Sequence, residues 1–272
     1  MKFEYKKWFL ENPQFPKHRK PNTIDLWHTA DTQELFKQNL EKYPDSIHLQ
    51  NYLKNPITYS YNNYGFRTPD DFNLEGDGNV FLGCSHTFGI GHYLEDTWSY
   101  KLSKKIDGKN YNISEPGSGI MTQYRYLNYF KDKIKFKNVF HYLPNEDWGR
   151  YEIINDDMFM GIFPDEYKSS YLVDVLYNDK FIHMVNYVYI DAIRYMLNEM
   201  GCNYYLLTNS FLLLGEINPY HKTLIPARDL MHYYTLDQAE ICNIFYYKYK
   251  NNMTDNKDNF LLLNELDPRK IF

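Results

Sequence analysis

Cysteine is scarce in this chain: Cys84, Cys202 and Cys242 are the only three in 272 residues. They are too few and too isolated for a disulfide framework or a zinc knuckle, so a reducing compartment is the simpler expectation. Long apolar runs are also missing. The longest, Phe211 to Leu214 and Phe260 to Leu263, are strand-sized, well short of the ~20 residues a membrane helix needs. Met1-Lys2-Phe3-Glu4-Tyr5 has no apolar core after its basic residues, so no secretory leader is expected. Excess positive charge is lacking too. Thirty Lys and Arg stand against 35 Asp and Glu, for a net charge of -5, and the basic residues are scattered. Nucleic acid and membrane are therefore not expected as partners. The expected location is cytoplasmic, or virion-associated if the chain is phage-encoded.

What the chain does have is tyrosine, 28 residues, within an aromatic content of 18%. Tyrosine offers flat amphipathic area that suits sugar faces and protein interfaces. Joint enrichment of Lys, Asn, Tyr, Ile and Phe also fits an AT-rich coding bias, and both explanations stay open.

Residues 1–75 carry Pro13, Pro16, Pro21, Pro56 and Pro69 and only one clear helix, around Thr32 to Lys42, with Thr32 and Glu34 at its start. They read as an irregular extension wrapped on the core. Residues 76–272 read as the main domain, with an insertion of loops and short elements around 150–185.

Within that domain strands and helices alternate. Asn79 to Leu82, Tyr111 to Ile113, Val139 to Leu143 and Asn203 to Thr208 are strand candidates. Thr97 to Ile106, Met121 to Asp132, Tyr187 to Met200 and Leu236 to Tyr249 have helical spacing, and Thr235 to Gln238 fits a capping box at the last helix start. Such alternation predicts an α/β fold: a three-layer α/β/α sandwich with a mostly parallel, flavodoxin-like central sheet. Ligands of such sheets sit beyond the carboxyl ends of the strands.

Four segments stand there. Gly83-Cys84-Ser85-His86-Thr87-Phe88-Gly89 follows the first strand, Ser114-Glu115-Pro116-Gly117 the second, and Leu143-Pro144-Asn145-Glu146 the third. Asp229-Leu230-Met231-His232 precedes the last helix. A hydroxyl nucleophile, a backbone glycine, a side-chain amide and an acid–histidine pair thus arrive in order at one sheet edge.

Over roughly Gly78 to Tyr249 this pattern resembles the SGNH (GDSL-like) hydrolases, and Asn62-Asn63-Tyr64-Gly65-Phe66-Arg67 resembles a segment that often precedes their first block. The resemblance implies Ser85 as nucleophile, with Asp229 and His232 completing a triad. It implies an oxyanion hole formed by the N–H groups of Ser85 and Gly117 and the Asn145 amide. It implies no cofactor and no metal. Each role has a physical reason. A serine hydroxyl needs an adjacent base, the base needs a carboxylate to fix its tautomer, and the developing oxyanion needs fixed donors. Two positions depart from the family pattern. Cys84 stands where Asp is usual, and Leu143-Pro144-Asn145-Glu146 replaces Gly-x-Asn-Asp, so that a one-residue shift would bring Glu146 to the amide position.

Cys84 is a rival nucleophile, although alternation of side-chain directions would aim it away from Ser85. His86 and His92 lack the companions of a metal site and read as solvated or packed. The expected activity is hydrolysis of a carboxylic ester, with O-acetyl carbohydrate preferred because Tyr93, Tyr142, Tyr233 and Tyr234 stand near the loops. The expected partner is a small-molecule or glycan ester. Two other readings remain: an O-acyltransferase on the same fold, and a non-catalytic structural or binding protein that retains it, such as a phage particle component.

Overall fold

The computed structural model describes residues 20–28, 30–68, 70–144, 150–155, 158–162, 179–208, 218–232 and 234–256. In the lead-in, β1 (Ile24–Asp25) pairs antiparallel with β2 (Tyr59–Ser60). Between them lie α1 (Gln33–Lys42) and α2 (Ile47–Lys54). The Thr32 hydroxyl accepts the Leu35 N–H at 3.1 Å and starts α1, satisfying one of the donors a helix start leaves open. Where the sequence predicts one helix, the described residues of this segment hold two. The eight residues of α2 are too few for apolar spacing to declare, and they are held by buried Leu49 and Tyr52 and a Ser46 cap.

The main sheet is built from β3 (Asp77–Gly83), β4 (Lys109–Asn112), β5 (Lys135–Leu143) and, beyond a hairpin of β6 (Tyr151–Asn155) and β7 (Met158–Ile162), β8 (Asn203–Thr208). All its pairings are parallel, in the order β4-β3-β5-β8. The direction of winding therefore reverses between β3 and β5, the crevice where doubly wound sheets bind ligands. Among the described residues the sheet is accompanied by five further α-helices: α3 (Ser85–Phe88), α4 (Trp98–Ser103), α5 (Ile120–Phe130), α6 (Asp179–Glu199) and α7 (Thr235–Lys250).

Alternation along each strand sorts the core onto two faces. Val80, Leu82, Val139, Tyr204 and Leu206 pack with Leu127 and Phe130 of α5 and with Ile190, Ile193 and Leu197 of α6. Phe81, Phe140, Tyr142, Tyr205 and Leu207 pack on the other side with Trp98 and Leu102 of α4 and with Ile241 and Phe245 of α7. Helices thus cover both faces, and neighbouring strands present apolar residues both ways, as a buried parallel sheet requires. No described helix is long and apolar enough to cross a membrane.

Two polar devices trim this core. Asn110, Asn79, Asn138 and Asn203 sit in register across all four strands. Their amides link sideways: Asn203 Nδ2 to Asn138 Oδ1 at 3.0 Å, Asn138 Nδ2 to Asn79 Oδ1 at 2.7 Å, Asn79 Nδ2 to Asn110 Oδ1 at 3.1 Å. The outer edge of β8 is closed by residues 255 and 256. Asp255 Oδ2 accepts the Leu206 N–H and Asn256 Oδ1 accepts the Tyr204 N–H, both at 2.7 Å, which satisfies donors an edge strand would leave open.

At the start of α7 the expected cap moves by one residue. Tyr234, not Thr235, is the N-cap, and Asp237, not Gln238, reaches back to its N–H at 2.9 Å. Gln238 is free for another task. It accepts the Trp98 N–H and donates to the His86 carbonyl, tying α7 to α3 and α4.

Candidate active site

The chain leaves β3 by a turn that only glycine fits. Gly83 has φ +155°, and a Cβ there would lie 2.1 Å from Thr87 Oγ1 and 2.7 Å from the Tyr142 carbonyl oxygen. Ser85 follows as the first residue of α3, with Cys84 as an N-cap that makes no side-chain cap. Ser85 is 8% exposed. Its hydroxyl contacts the Cys84 sulfur at 3.9 Å. The Cys84 side chain is therefore beside Ser85 and fully buried, not aimed away as strand alternation predicts, because the strand has already ended there.

The acid–histidine turn forms as its spacing requires. Asp229 Oδ1 accepts the N–H groups of Met231 at 3.0 Å and His232 at 3.2 Å, while Oδ2 meets His232 Nδ1 at 2.6 Å. Burial pushes the Asp229 carboxyl up, but the adjoining imidazole and these hydrogen bonds outweigh it and hold the group below the usual carboxylate range. The His232 ring stacks edge-on against His86, with centroids 5.2 Å apart, so it stands beside the residue that follows Ser85. Among the described residues there is no hydrogen bond between Ser85 and His232.

The third element is the turn after β4. Glu115 N–H and the Ser118 hydroxyl both reach the Gly83 carbonyl, at 3.1 Å and 3.3 Å, fastening this turn to the strand that carries Ser85. Gly117 has φ +76°, a left-handed conformation that favours glycine. Neither its N–H nor that of Ser85 donates a hydrogen bond among the described residues. Asn145, the alternative Glu146 and Tyr233 lie outside those residues.

Sequence reasoning missed what holds the acid–histidine turn. Arg228, next to Asp229, forms a buried fork on Asp31, with Nε 3.0 Å from both carboxylate oxygens and Nη2 2.6 Å from Oδ2. Asn39 Nδ2 donates to the Asp229 carbonyl at 3.3 Å. Tyr59 Oη donates to Asp31 and accepts the Gly91 N–H at 2.9 Å, and Gly91 accepts the Arg228 N–H at 2.8 Å. A Cβ on Gly91 would press on Ala227 and on the Arg228 N–H. Arg67, the last residue of the quoted lead-in segment, donates to the carbonyls of Thr58, Phe88, Gly89 and His92 and lies over the Tyr59 ring at 4.4 Å. The lead-in thus grips both loops from behind. Its only sequence signal is the adjacency of Arg228 to Asp229; the Asp31 partner is 197 residues away.

Of the tyrosines near the loops, three are described. Tyr142 and Tyr234 are buried, and the Tyr93 hydroxyl is bonded to the Asn55 carbonyl. His86 and His92 are packed in the interior, and among the described residues no His, Cys, Asp and Glu group is arranged to hold a metal ion. Two cavities, of about 60 Å³ beside Ser99 and Asn112 and about 490 Å³ between α5 and α6, are lined by none of Ser85, Gly117, Asp229 and His232.

No protein-family model matches this sequence, and no curated protein does. The chemistry must be argued from the site itself.

Proposed function

We propose that the chain is a serine ester hydrolase of the SGNH type, acting through an acyl-enzyme on Ser85. The observation that carries the reading is the Asp229–His232 pair, 2.6 Å apart, beside α3 at the carboxyl end of β3. A buried carboxylate on Nδ1 fixes the imidazole in the tautomer whose Nε2 can take a proton.

In this reading Ser85 Oγ attacks the ester carbonyl carbon as its proton passes to His232 Nε2. Asp229 stabilises the resulting imidazolium. The carbonyl oxygen becomes an oxyanion held by the N–H groups of Ser85 and Gly117, with Asn145 as the third donor. Collapse breaks the bond to the alcohol, which leaves with the proton from Nε2. Water, deprotonated by the same nitrogen, then releases the acid and restores Ser85. The substrate class is a carboxylic ester with a small acyl group such as acetyl. Carbohydrate remains the preferred alcohol part, now without the tyrosines as its argument. A second alcohol in place of water would make the same site an O-acyltransferase.

One observation favours the non-catalytic reading: the Ser85 hydroxyl meets Cys84 Sγ and not His232. Catalytic hydrogen bonds are often loose before substrate binds, and kinetics separates the two readings. On p-nitrophenyl acetate, Ser85→Ala and His232→Ala should each lower turnover about 10⁴-fold or more. Wild-type turnover in Ser85→Ala defeats the hydrolase reading.

A further inference from the structure

The interior face of the sheet under α5 holds a histidine that the reaction above does not use. His141 on β5 is fully buried, as is Tyr204 on β8. Tyr204 Oη lies 2.7 Å from His141 Nδ1, and His141 Nε2 lies 2.6 Å from Gln123 Oε1 on α5. Gln123 Nε2 then reaches the Ser118 hydroxyl at 3.2 Å, and Ser118 Oγ reaches the Gly83 carbonyl at 3.3 Å.

Donor chemistry gives this chain one direction. The amide oxygen of Gln123 can only accept, so Nε2 of His141 carries the hydrogen and Nδ1 accepts from the tyrosine. Four bonds therefore run from Tyr204 to Gly83, each donor aimed at the next acceptor, and such chains strengthen one another in a low-dielectric interior. Burial pulls the His141 pKa down to about 3, so this order persists across ordinary pH.

The two ends differ in kind. At one end the chain is anchored in the adjacent, parallel-paired strands β5 and β8. At the other it stops on Ser118, adjacent to Gly117, and on Gly83, two residues before Ser85. Those are the backbone points that flank the two N–H groups of the oxyanion site.

We propose that Ser118, Gln123, His141 and Tyr204 form a positioning relay that fixes the Gly117 and Ser85 N–H groups relative to each other. The proposal rests on the hydrolase reading and adds residues to it. None of the four touches the ester. They act by holding the donors where the oxyanion forms, so their loss should weaken binding of the transition state more than that of the substrate.

The test compares Gln123→Met, which keeps volume and removes the amide's bonds to His141 and to the Ser118 hydroxyl and carbonyl, with Ser118→Ala, which removes one hydroxyl and is the milder change should the first variant fail to fold. Asn138→Ala serves as a control, because it breaks an amide network on the other face of the same sheet, the face that packs against α4 and α7. Steady-state kinetics on p-nitrophenyl acetate and labelling of Ser85 by a fluorophosphonate are read for each. The relay predicts kcat lower by about 10- to 100-fold in Gln123→Met and Ser118→Ala, KM within about twofold of wild type, and both constants unchanged in Asn138→Ala. Wild-type kcat in Gln123→Met and Ser118→Ala, with Ser85 still labelled in the wild type, overturns the relay alone. A wild type that neither turns over nor labels removes the hydrolase reading, and the relay with it.

Discussion

Two hydrogen-bonded polar systems are built on the same four-stranded sheet, one on each of its faces. Near the amino ends, Asn110, Asn79, Asn138 and Asn203 form a row of like residues in matching register, closed by Asn79 Nδ2 on the Asp107 carbonyl and Asn110 Nδ2 on Ser103 and Gly108. On the face that packs against α5, Tyr204, His141, Gln123 and Ser118 are all different, and their chain leaves the strands through α5 to end on the turn after β4 and on the last residue of β3. The first system satisfies itself and fixes which residues face each other, since a slip of one residue would pull every amide out of line. The second fixes the position of something outside the sheet. The asparagine row runs out to half-buried Asn110 and exposed Asn203, whereas His141, Tyr204 and Gln123 are buried throughout, and what the two systems hold differs.

The largest expected effect lies behind the site. Asp31→Ala leaves the Arg228 guanidinium buried without its carboxylate and should cost about 3–5 kcal/mol in urea unfolding. Loss of only a few tenths of a kcal/mol would mean that the lead-in grips the acid–histidine turn far more weakly than the fork on Asp31 implies. Next comes the asparagine row. Asn138→Ala orphans Asn79 Oδ1 and Asn203 Nδ2 and should cost about 1–3 kcal/mol with no change in kcat. A fall in kcat would erase the contrast between the two faces of the sheet.

The smallest effect is in pH dependence. An unfolded Asp237 loses its proton near 3.8, whereas burial pushes the folded carboxyl up to about 7. It therefore lowers stability as pH rises between those values and is level above them. His141 acts the opposite way. Its folded pKa of about 3 lies below the ordinary 6.5, so its contribution is complete above 6.5 and is lost as pH falls toward 3. The two slopes oppose each other between about pH 4 and 6.5. Asp237→Asn should remove one of them and leave stability rising with pH across that interval in denaturant titrations. An unchanged profile would show that Asp237 titrates normally.

The sheet was legible because its strands are short apolar runs separated by helical spacing and glycine stops, patterns that local sequence carries. Asn203–Thr208 is bounded as the sequence predicts, whereas β3 gains Asp77, Gly78 and Gly83 and β5 gains Lys135 to Asn138, among them the core residue Phe136. The Asp229 and His232 pair was legible for a similar reason, since three residues of separation already bring the groups onto one turn. The apparatus behind them was not. The Asp31–Arg228 fork, the carbonyl cage around Arg67 and the chain through His141 join residues tens to hundreds of positions apart, and nothing local marks His141 as a hydrogen-bonded core residue. The burial of Tyr142 and Tyr234 was not legible for a related reason: nearness in sequence to a loop says nothing about which way a ring points. Tyr142 lies on a strand face that turns inward, and Tyr234 caps a helix inside the fold.

The most direct test of the account is the covalent one. Treated with a fluorophosphonate and digested, the folded protein should carry a single adduct on the peptide containing Ser85, lost on unfolding beforehand and strongly reduced in His232→Ala. An unmodified Ser85 peptide, or an adduct that forms equally well without His232, would contradict the claim that this serine is activated by that histidine.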